Sequence, residues 1–368
     1  MEQVRADRYT KITTYSLAFG ACVLGLFLMK SLANEILPVV VAFFLFIFVN
    51  PILSKFDQLR MPKIISMVIA MALVIAFFFL FAYVFFVMVN TLMTQLPQYV
   101  SKVNALDVFL SDKLRNFFDV DEGQSFSILA WLNIDWFGII TSFLTSASSK
   151  FVDIIGDCML VLLYLMFIIL ERATIFPKIV VALPKDRGRK LAEMVGRMNK
   201  LISKYLFIKI IISSATGLLF YLTAVLVGMD FPLVWGVLAL ILNFIPTIGS
   251  IVVTASAILM AIVQFLPNWD IVLIAGALFI SIQMILGNIL DPKLQGVQLN
   301  ISPLVILISL AIWGYVWGIL GMFLAVPLTS ILQIVCASSE NLKPVAILLS
   351  TGKIQVDQYN KEKNSKKR

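Results

Sequence analysis

The sequence predicts an all-α polytopic membrane protein, and two observations support this prediction. The chain has 368 residues, of which 60% are hydrophobic and only 14% are charged, whereas soluble domains are nearer half apolar and a quarter charged. Its apolar stretches are long, uncharged and continuous, which is typical of membrane helices and not of the alternating strands of a barrel. Because backbone groups in lipid must be hydrogen-bonded within the protein, these runs indicate spanning helices.

The uncharged runs predict about eight membrane segments, since a helix needs about 20 residues to cross a bilayer. They lie at 12–29, 36–54, 64–101, 210–229, 231–269, 271–290 and 294–339, with a further stretch at 151–170 interrupted only by Asp153 and Asp157. Run 64–101 is too long for one crossing, so we expect its helix to continue beyond the membrane. The first run follows basic residues as a signal peptide does, but its length favours an uncleaved span.

The distribution of basic residues predicts the orientation. Segment 171–209 has ten Lys or Arg against three Asp or Glu, whereas segment 91–149 has three against six. The positive-inside rule therefore puts 171–209 and both termini in the cytoplasm and 91–149 outside. The predicted organisation is a cytoplasmic N-terminus (1–11), spans one to three (12–90), an extracytoplasmic helical segment (91–149), span four (150–170), a cytoplasmic amphipathic helical segment (171–209), a transport core (210–336) and a basic cytoplasmic tail (337–368).

Two long apolar runs are interrupted by helix-breaking residues. As one helix, run 231–269 would be about 58 Å long against a hydrocarbon core of about 30 Å, and it contains the stretch LNFIPTIGS at 242–250. Both runs have a Pro-Leu-Val start, at Pro232 and Pro303, and each follows a clean span. This repeated order, offset by 71 residues, predicts a weak internal duplication with broken segments at 231–263 and 302–336. The second break is expected near Gly314, Gly318 and Gly321.

The broken segments predict either two re-entrant hairpins, which would make the repeats inverted, or two kinked spanning helices. We favour hairpins, although both arrangements return the C-terminus to the cytoplasm. Paired interrupted segments point to a transporter binding site, because irregular backbone at membrane depth lines a cavity or is buried in protein. Asn243, Thr247 and Ser250 are then expected to face a polar solute, together with a carbonyl freed by Pro246. The spacing of Gly314 and Gly318 is also typical of helix packing.

Two stretches carry a family resemblance: WGVLALILNFIPTIGSIV (235–252) and GNILDPKLQGVQLNISPLVILISLAIWGYVWGILGMFLAVPLT (287–329). They resemble the autoinducer-2 exporter family of PerM-like permeases, and within it the quorum-signal exporter type. The resemblance implies a homo-oligomeric inner-membrane permease, with a pentamer as one option for the assembly, for a small hydrophilic solute such as autoinducer-2. Some members of the family are instead described as sodium or lithium/proton antiporters. The positions that it implies are Asn243, Pro246, Gly249, Asn288, Pro292, Gly314, Gly318, Gly321 and Pro327.

One departure from the family pattern concerns ion coupling. Leu286 stands where many members carry a Glu, and an embedded carboxylate is the natural carrier for a coupling ion. Three acids, Asp153, Asp157 and Asp291, remain as possible ion-coupling groups. Asp153 and Asp157 share a helix face, and a solvated helix N-terminus is the alternative explanation for them. Another polar residue, Gln283, lies deep in the predicted span 271–290 and needs a hydrogen-bond partner there. It is expected to face either the solute cavity or a neighbouring helix.

Several function classes are disfavoured by what the sequence lacks. It contains no His, its three Cys have no metal-ligand spacing, and no nucleotide-binding or hydrolase motif occurs. We therefore expect no metal, no cofactor and no enzymatic activity, and we attribute the net charge of +8 to cytoplasmic loops, not to nucleic-acid binding. The prediction is a permease whose solute lies at the broken segments with Trp235 or Trp313 stacking nearby. The alternatives are a cation/proton antiporter and a membrane scaffold without transport.

Overall fold

The computed structural model describes residues 16–17, 20–21, 23–114, 135–172, 174–295 and 300–352. These residues are helical almost throughout and contain no strand apart from a single bridge between Ile301 and Ser350. After a helical stretch at 23–31, the α-helices are α1 (Ala33–Gln58), α2 (Lys63–Leu114), α3 (Trp136–Glu171), α4 (Ile175–Ala182), α5 (Lys185–Val227), α6 (Pro232–Leu242), α7 (Ile248–Phe265), α8 (Trp269–Ile282), α9 (Asp291–Gln295), α10 (Pro303–Ser338) and α11 (Lys343–Leu349). A π-helix (Gln283–Leu290) joins α8 to α9, and a short 3₁₀ turn (Glu340–Leu342) precedes α11.

The helix lengths confirm the all-α membrane fold. Within the described ranges, six segments are long and apolar enough to cross a membrane: Ala33–Gln58, Lys63–Gln95, Asp186–Val227, Ile248–Phe265, Trp269–Leu294 and Pro303–Ser338. As expected, α2 continues well past Gln95 as a single helix. Of the predicted first span (12–29), the structure describes residues 16–17, 20–21 and 23–29. The other residues of that span lie outside the described residues, as do 115–134 of the predicted external segment and 353–368 of the tail.

Some predicted boundaries between segments fall inside continuous helices. The predicted external helix and span four form one helix, α3, and the predicted amphipathic segment continues into the span at 210–229 as the single helix α5. Neither junction contains a Pro, and α-helices continue across a change of surroundings unless a residue breaks the hydrogen-bond ladder. The charge pattern therefore marks where the environment is predicted to change, whereas the backbone does not change there.

The chain divides into two units: unit 1 holds residues 1–51, 160–203 and 297–368, and unit 2 holds 52–159 and 204–296. In unit 2, α6 and α7 pack against each other and α7 packs against α8. We call Pro232–Phe265 hairpin 1. Its two helices share one apolar core with α5 and α8, in which the rings of Phe220 and Phe279 lie 4.8 Å apart.

Hairpin 1 runs a long way down α5. Its start follows the end of α5 at Val227, and at its far end Asn243 is bonded to Ser213 of the same helix. Fourteen residues of α5 separate those two points, which corresponds to about 21 Å at 1.5 Å per residue. One helical turn from Ser213, Gly217 lies against Gly236 of α6, and a methyl group on either glycine would press on the carbonyl oxygen of the other. This length of α5 is about two-thirds of the thickness of a typical hydrocarbon core.

In unit 1, α10 reverses its direction, and we call Pro303–Ser338 hairpin 2. Trp317 and Gly318 have non-helical backbone angles, with Gly318 at φ 62° and ψ −141°. The Ser309 hydroxyl donates to the carbonyl oxygen of Ala325 at 3.2 Å, although 16 residues of straight helix would separate the two by about 24 Å. Both broken segments thus fold back on themselves, whereas their placement relative to a bilayer stays a prediction.

Candidate functional site

The tip of hairpin 1 gathers polar side chains from three elements of unit 2. Asn243, just after α6, is almost completely buried. Its Nδ2 donates to Ser213 Oγ of α5 at 3.2 Å, and its Oδ1 accepts from Ser250 Oγ of α7 at 3.4 Å. Two of the predicted site residues, Asn243 and Ser250, are therefore brought together, along with Ser213, which was not predicted.

The reversal between α6 and α7 is very tight. The backbone N–H of Ile248 donates to the carbonyl oxygen of Pro246 at 2.6 Å across Thr247, which has φ 62° and ψ −57°. This is a γ-turn with positive φ, a rare and strained conformation, and it is exceptional for a β-branched residue. Gly249 permits the reversal because a Cβ there would overlap the carbonyl oxygen of Leu242. Pro246, Thr247 and Gly249 thus shape the tip.

One expectation about Pro246 is not met. Proline lacks the N–H that would bond the carbonyl four residues earlier, so the Leu242 carbonyl was expected to be free for a solute. Instead, the Ile245 N–H donates to the Leu242 oxygen at 2.9 Å. The turn that follows α6 satisfies this carbonyl locally, so the solute-facing group predicted there is not left open.

Gln283 is the most informative polar residue of unit 2. It is 8% exposed, and neither its amide nitrogen nor its amide oxygen has a hydrogen-bond partner among the described residues. The hydroxyl oxygen of Thr254 on α7 is also buried and has no hydrogen-bond partner among the described residues. A buried polar group without a partner costs about 1–3 kcal/mol, so such groups are expected where a ligand or ordered water completes the bonding.

The register of α7 and α8 brings these unpartnered groups toward the tip. The two helices are joined by a short loop and pack against each other, and Ile258 of α7 lies against Gly276 of α8. Counting outward along antiparallel helices from that contact, we infer that Gln283 is level with residue 251, within one turn of Ser250 and Thr254 along α7, and the π-helix that begins at Gln283 does contact α7. We define the tip site as Ser213, Asn243, Ser250, Thr254 and Gln283.

An ion pair that the sequence analysis missed lies at one end of the tip site. Lys209 Nζ donates to Asp291 Oδ2 at 2.9 Å, and their side chains are only 3% and 15% exposed. Lys209 was counted with the cytoplasmic loop charges, yet it is on α5 one helical turn before Ser213. The available signal was its place between apolar residues, in the sequence YLFIKIII. Asp291 was predicted as an ion-coupling candidate, and the structure assigns it a lysine partner.

Hairpin 2 places its predicted residues separately, in unit 1. The reversal occurs at Gly318, whereas Gly314 and Gly321 remain helical and lie against Met322 and the Trp313 carbonyl. The rings of Trp313 and Trp317 lie 5.0 Å apart, and Pro327 is buried. Trp317 Nε1 also donates to the Met29 carbonyl oxygen at 3.1 Å. Of the three glycines, two serve close packing between the arms and one makes the turn.

The remaining predicted residues lie apart from the tip site. Asn288 and Pro292 are exposed, with Asn288 Nδ2 against the Met284 sulfur. Asp157 is exposed on α3, and the side chain of Asp153 lies outside the described residues. Trp235, one of the two tryptophans predicted to stack on a solute, packs in the apolar core and donates to the Asp230 carbonyl oxygen at 3.1 Å.

A polar network closes the other end of hairpin 1, at its base. Gln264 accepts from the Asp230 N–H at 2.8 Å and donates to the Gly228 carbonyl at 3.0 Å, which ties the two arms together. From α2, Tyr99 donates its hydroxyl to the Asp230 carboxylate, and Lys102 lies 3.7 Å from the same group. Burial, reinforced by the bond to Asp230 and by its charge, raises the pKa of Tyr99 above its usual value.

These candidate spans and the two hairpins define a polytopic α-helical membrane protein. A model of the AI-2E family transporters matches residues 17–341, and the chain belongs to that family. It is 35% identical to a putative transport protein of Borreliella burgdorferi over 86% of this chain and 85% of the relative. It is 29% identical to the AI-2 transport protein TqsA of Escherichia coli, over 86% and 90%. It is 32% identical to the putative permease PerM of Escherichia coli over 48% and 49%.

Proposed function

We propose that the protein is an inner-membrane permease that exports a small polyhydroxylated solute, with autoinducer-2 as the leading candidate, through the tip site of unit 2. The observation that carries the proposal is Gln283, whose amide is buried with a donor and an acceptor both unpartnered. A hydroxyl group both donates and accepts, so a solute with hydroxyl groups can bond the amide nitrogen and the amide oxygen of Gln283 at once. The name of the relative TqsA, an AI-2 transport protein, supports this choice of solute.

The tip site suits a neutral polar solute better than a charged one. Its hydrogen-bonding groups are an amide at Gln283, an amide at Asn243 and the hydroxyls of Ser213, Ser250 and Thr254. The nearest charges of the site, Lys209 and Asp291, neutralise each other. A solute that enters would exchange bonds with water for bonds with these groups, at little electrostatic cost. Without an ATP-binding motif in the sequence, transport would be passive or coupled to an ion gradient.

The proposed orientation has both termini in the cytoplasm, hairpin 1 entering from outside and hairpin 2 from inside. Contacts at the base of hairpin 1 support its entry from outside, because Tyr99 and Lys102, which contact Asp230 there, belong to the segment predicted to be extracytoplasmic. The basic face of α5 and the tail supply the positive charge expected inside. Association into homo-oligomers completes the proposal, on the family resemblance alone.

The test is flux of autoinducer-2 in liposomes containing the purified protein, with and without sodium and proton gradients. The wild-type protein is expected to release the solute, and Gln283→Met is expected to lose most of that flux because both complementary groups are removed. Gln98→Met, the same change at an exposed position of α2, is the matched control. Autoinducer-2 flux that is absent under every gradient would reject the proposal and favour a scaffold.

The second candidate is a sodium or lithium/proton antiporter, and Asp291 is the observation that bears on it. A cation that binds this carboxylate would compete with Lys209, which lies 2.9 Å from Asp291 Oδ2. The same liposomes distinguish the two functions, since antiport would move protons when sodium is added without any organic solute. A sodium-driven pH change that Asp291→Asn abolishes would favour the antiporter.

A further inference from the structure

The Lys209–Asp291 ion pair is more than a packing feature. Charged side chains inside a membrane protein are costly and mark functional positions by default, and Lys209 is 3% exposed in an apolar stretch of α5. A buried ion pair is often no more stable than apolar residues of the same volume. Stability alone therefore does not explain why two charges occupy this position.

The pair lies near one end of a polar stripe on α5, in which only Tyr205 precedes Lys209. Tyr205, Lys209, Ser213 and Thr216 are all buried and follow one another at intervals of four, four and three residues, so they share one face of the helix. Beyond Thr216 the same face continues with Phe220, which belongs to the apolar core. The stripe thus leads from the ion pair to Ser213 of the tip site, about 6 Å further along the axis, and stops at the core.

The two partners are on two of the elements that carry the tip site. Lys209 is on α5 with Ser213, and Asp291 directly follows the π-helix that begins at Gln283. Separating the pair would part these elements at one end of the site. The contact of Phe220 with Phe279, at 4.8 Å, would hold them together on the other side of it. π-Helical segments of this kind occur frequently at functional sites.

We propose that Lys209 and Asp291 form a gate that closes the tip site toward the predicted cytoplasmic end of α5. While the pair is intact, the polar stripe is sealed there; when the two side chains part, Ser213 and Thr216 become reachable from that side. The gate rests on the proposed function in one respect, which is that the tip site holds the solute. Lys209 and Asp291 are positioning residues in this account, because they control access and do not themselves bind the solute.

The test measures access and needs no solute. In a background where Cys22, Cys158 and Cys336 are replaced by Ser, Thr216→Cys serves as the reporter, since Thr216 is fully buried and its hydroxyl bonds only within its own helix, to Ile212. Anionic and cationic methanethiosulfonates are applied to inside-out vesicles. Replacing the pair by Lys209→Ala with Asp291→Ala keeps the local charge at zero and removes the side-chain contact itself, and we expect it to raise the reporter's labelling rate about tenfold or more with both reagents.

The matched control is a second ion pair on the same helix. Arg189 and Glu193 lie 3.9 Å apart with side chains 76% and 66% exposed, so Arg189→Gln with Glu193→Gln should leave the labelling rate unchanged. A Cys at exposed Lys200 should react equally in every background and calibrates reagent delivery. These controls separate opening of the stripe from a general loosening of α5.

Three results would overturn the gate. Labelling at the wild-type rate after neutralisation would mean that the pair is only structural. Acceleration with one reagent alone would mean that the local potential changed and the stripe stayed shut. The exchange Lys209→Asp with Asp291→Lys restores an ion pair and should restore slow labelling, which keeps the proposal testable if the neutral variant folds poorly; fast labelling there would also reject it. Absence of autoinducer-2 flux would reject the proposed function without touching this readout.

Discussion

Removing the Gln283 amide should stabilise the protein while it abolishes transport. Methionine nearly matches glutamine in shape and length and fills irregular apolar space, so Gln283→Met deletes both unpartnered atoms without opening a cavity. Each such buried group costs about 1–3 kcal/mol, and we expect the free energy of unfolding to rise by about that amount. Thr254→Val, which removes one unpartnered hydroxyl, should add a smaller gain of the same sign.

The assay is unfolding in mixed micelles, followed by circular dichroism, on three glutamines that differ in bonding. Gln283 is buried without a partner, Gln264 is bonded at both amide atoms, and Gln98 is exposed. The same change to Met should stabilise at the first position, destabilise by about 1–3 kcal/mol at the second, and do almost nothing at the third. If Gln283→Met destabilises as Gln264→Met does, the Gln283 amide is already satisfied, and the argument for a ligand at the tip site fails.

Two further predictions concern hairpin 2 and the base of hairpin 1. In the cysteine-free background, Ser309→Cys with Thr329→Cys should form a disulfide on mild oxidation, because these hydroxyls are in contact across the two arms. Ser309→Cys with Leu332→Cys, whose second position is exposed, should not, and failure of the first pair alone would contradict the reversal. The pKa of Tyr99 is raised in the folded state. The protonated Tyr99 therefore contributes its full stabilisation at pH values below about 10, the pKa of tyrosine in the unfolded chain, and this stabilisation is lost as the pH rises further. Tyr99→Phe should flatten alkaline unfolding curves, and an unchanged curve would mean that the contact with Asp230 contributes nothing.

The fold class and the two breaks were predictable because their causes are local. Run lengths alone required spanning helices, and 39 uncharged residues at 231–269 could not form one crossing. Proline and glycine act on the backbone where they stand, so Pro246 marked the first break within a few residues. The choice among Gly314, Gly318 and Gly321 was not predictable, because the three have the same local signal. Only the packing of one arm on the other decides which of them takes a positive φ.

The tip site was only partly predictable because its chemistry depends on distant partners. Asn243 and Ser250 could be named from the break itself. Ser213 and Asp291 could not be matched to their partners from one sequence, since 30 residues separate Ser213 from Asn243 and 82 separate Lys209 from Asp291. Charge counting also assigned Lys209 to a loop, because the next span was predicted to begin at residue 210. Pairing between helices is a tertiary property that composition and periodicity do not encode.

The γ-turn at Thr247 has a consequence for selectivity between solutes. A strained residue of this kind holds about 1–3 kcal/mol, which corresponds to about 5–150-fold in an equilibrium constant. A molecule whose arrival lets the turn relax recovers that energy as affinity, whereas one that leaves Thr247 in place recovers none. Two molecules that make identical hydrogen bonds to the tip site would then differ in occupancy by up to that factor. Discrimination would reside in the backbone of the hairpin as much as in the side chains that touch the solute.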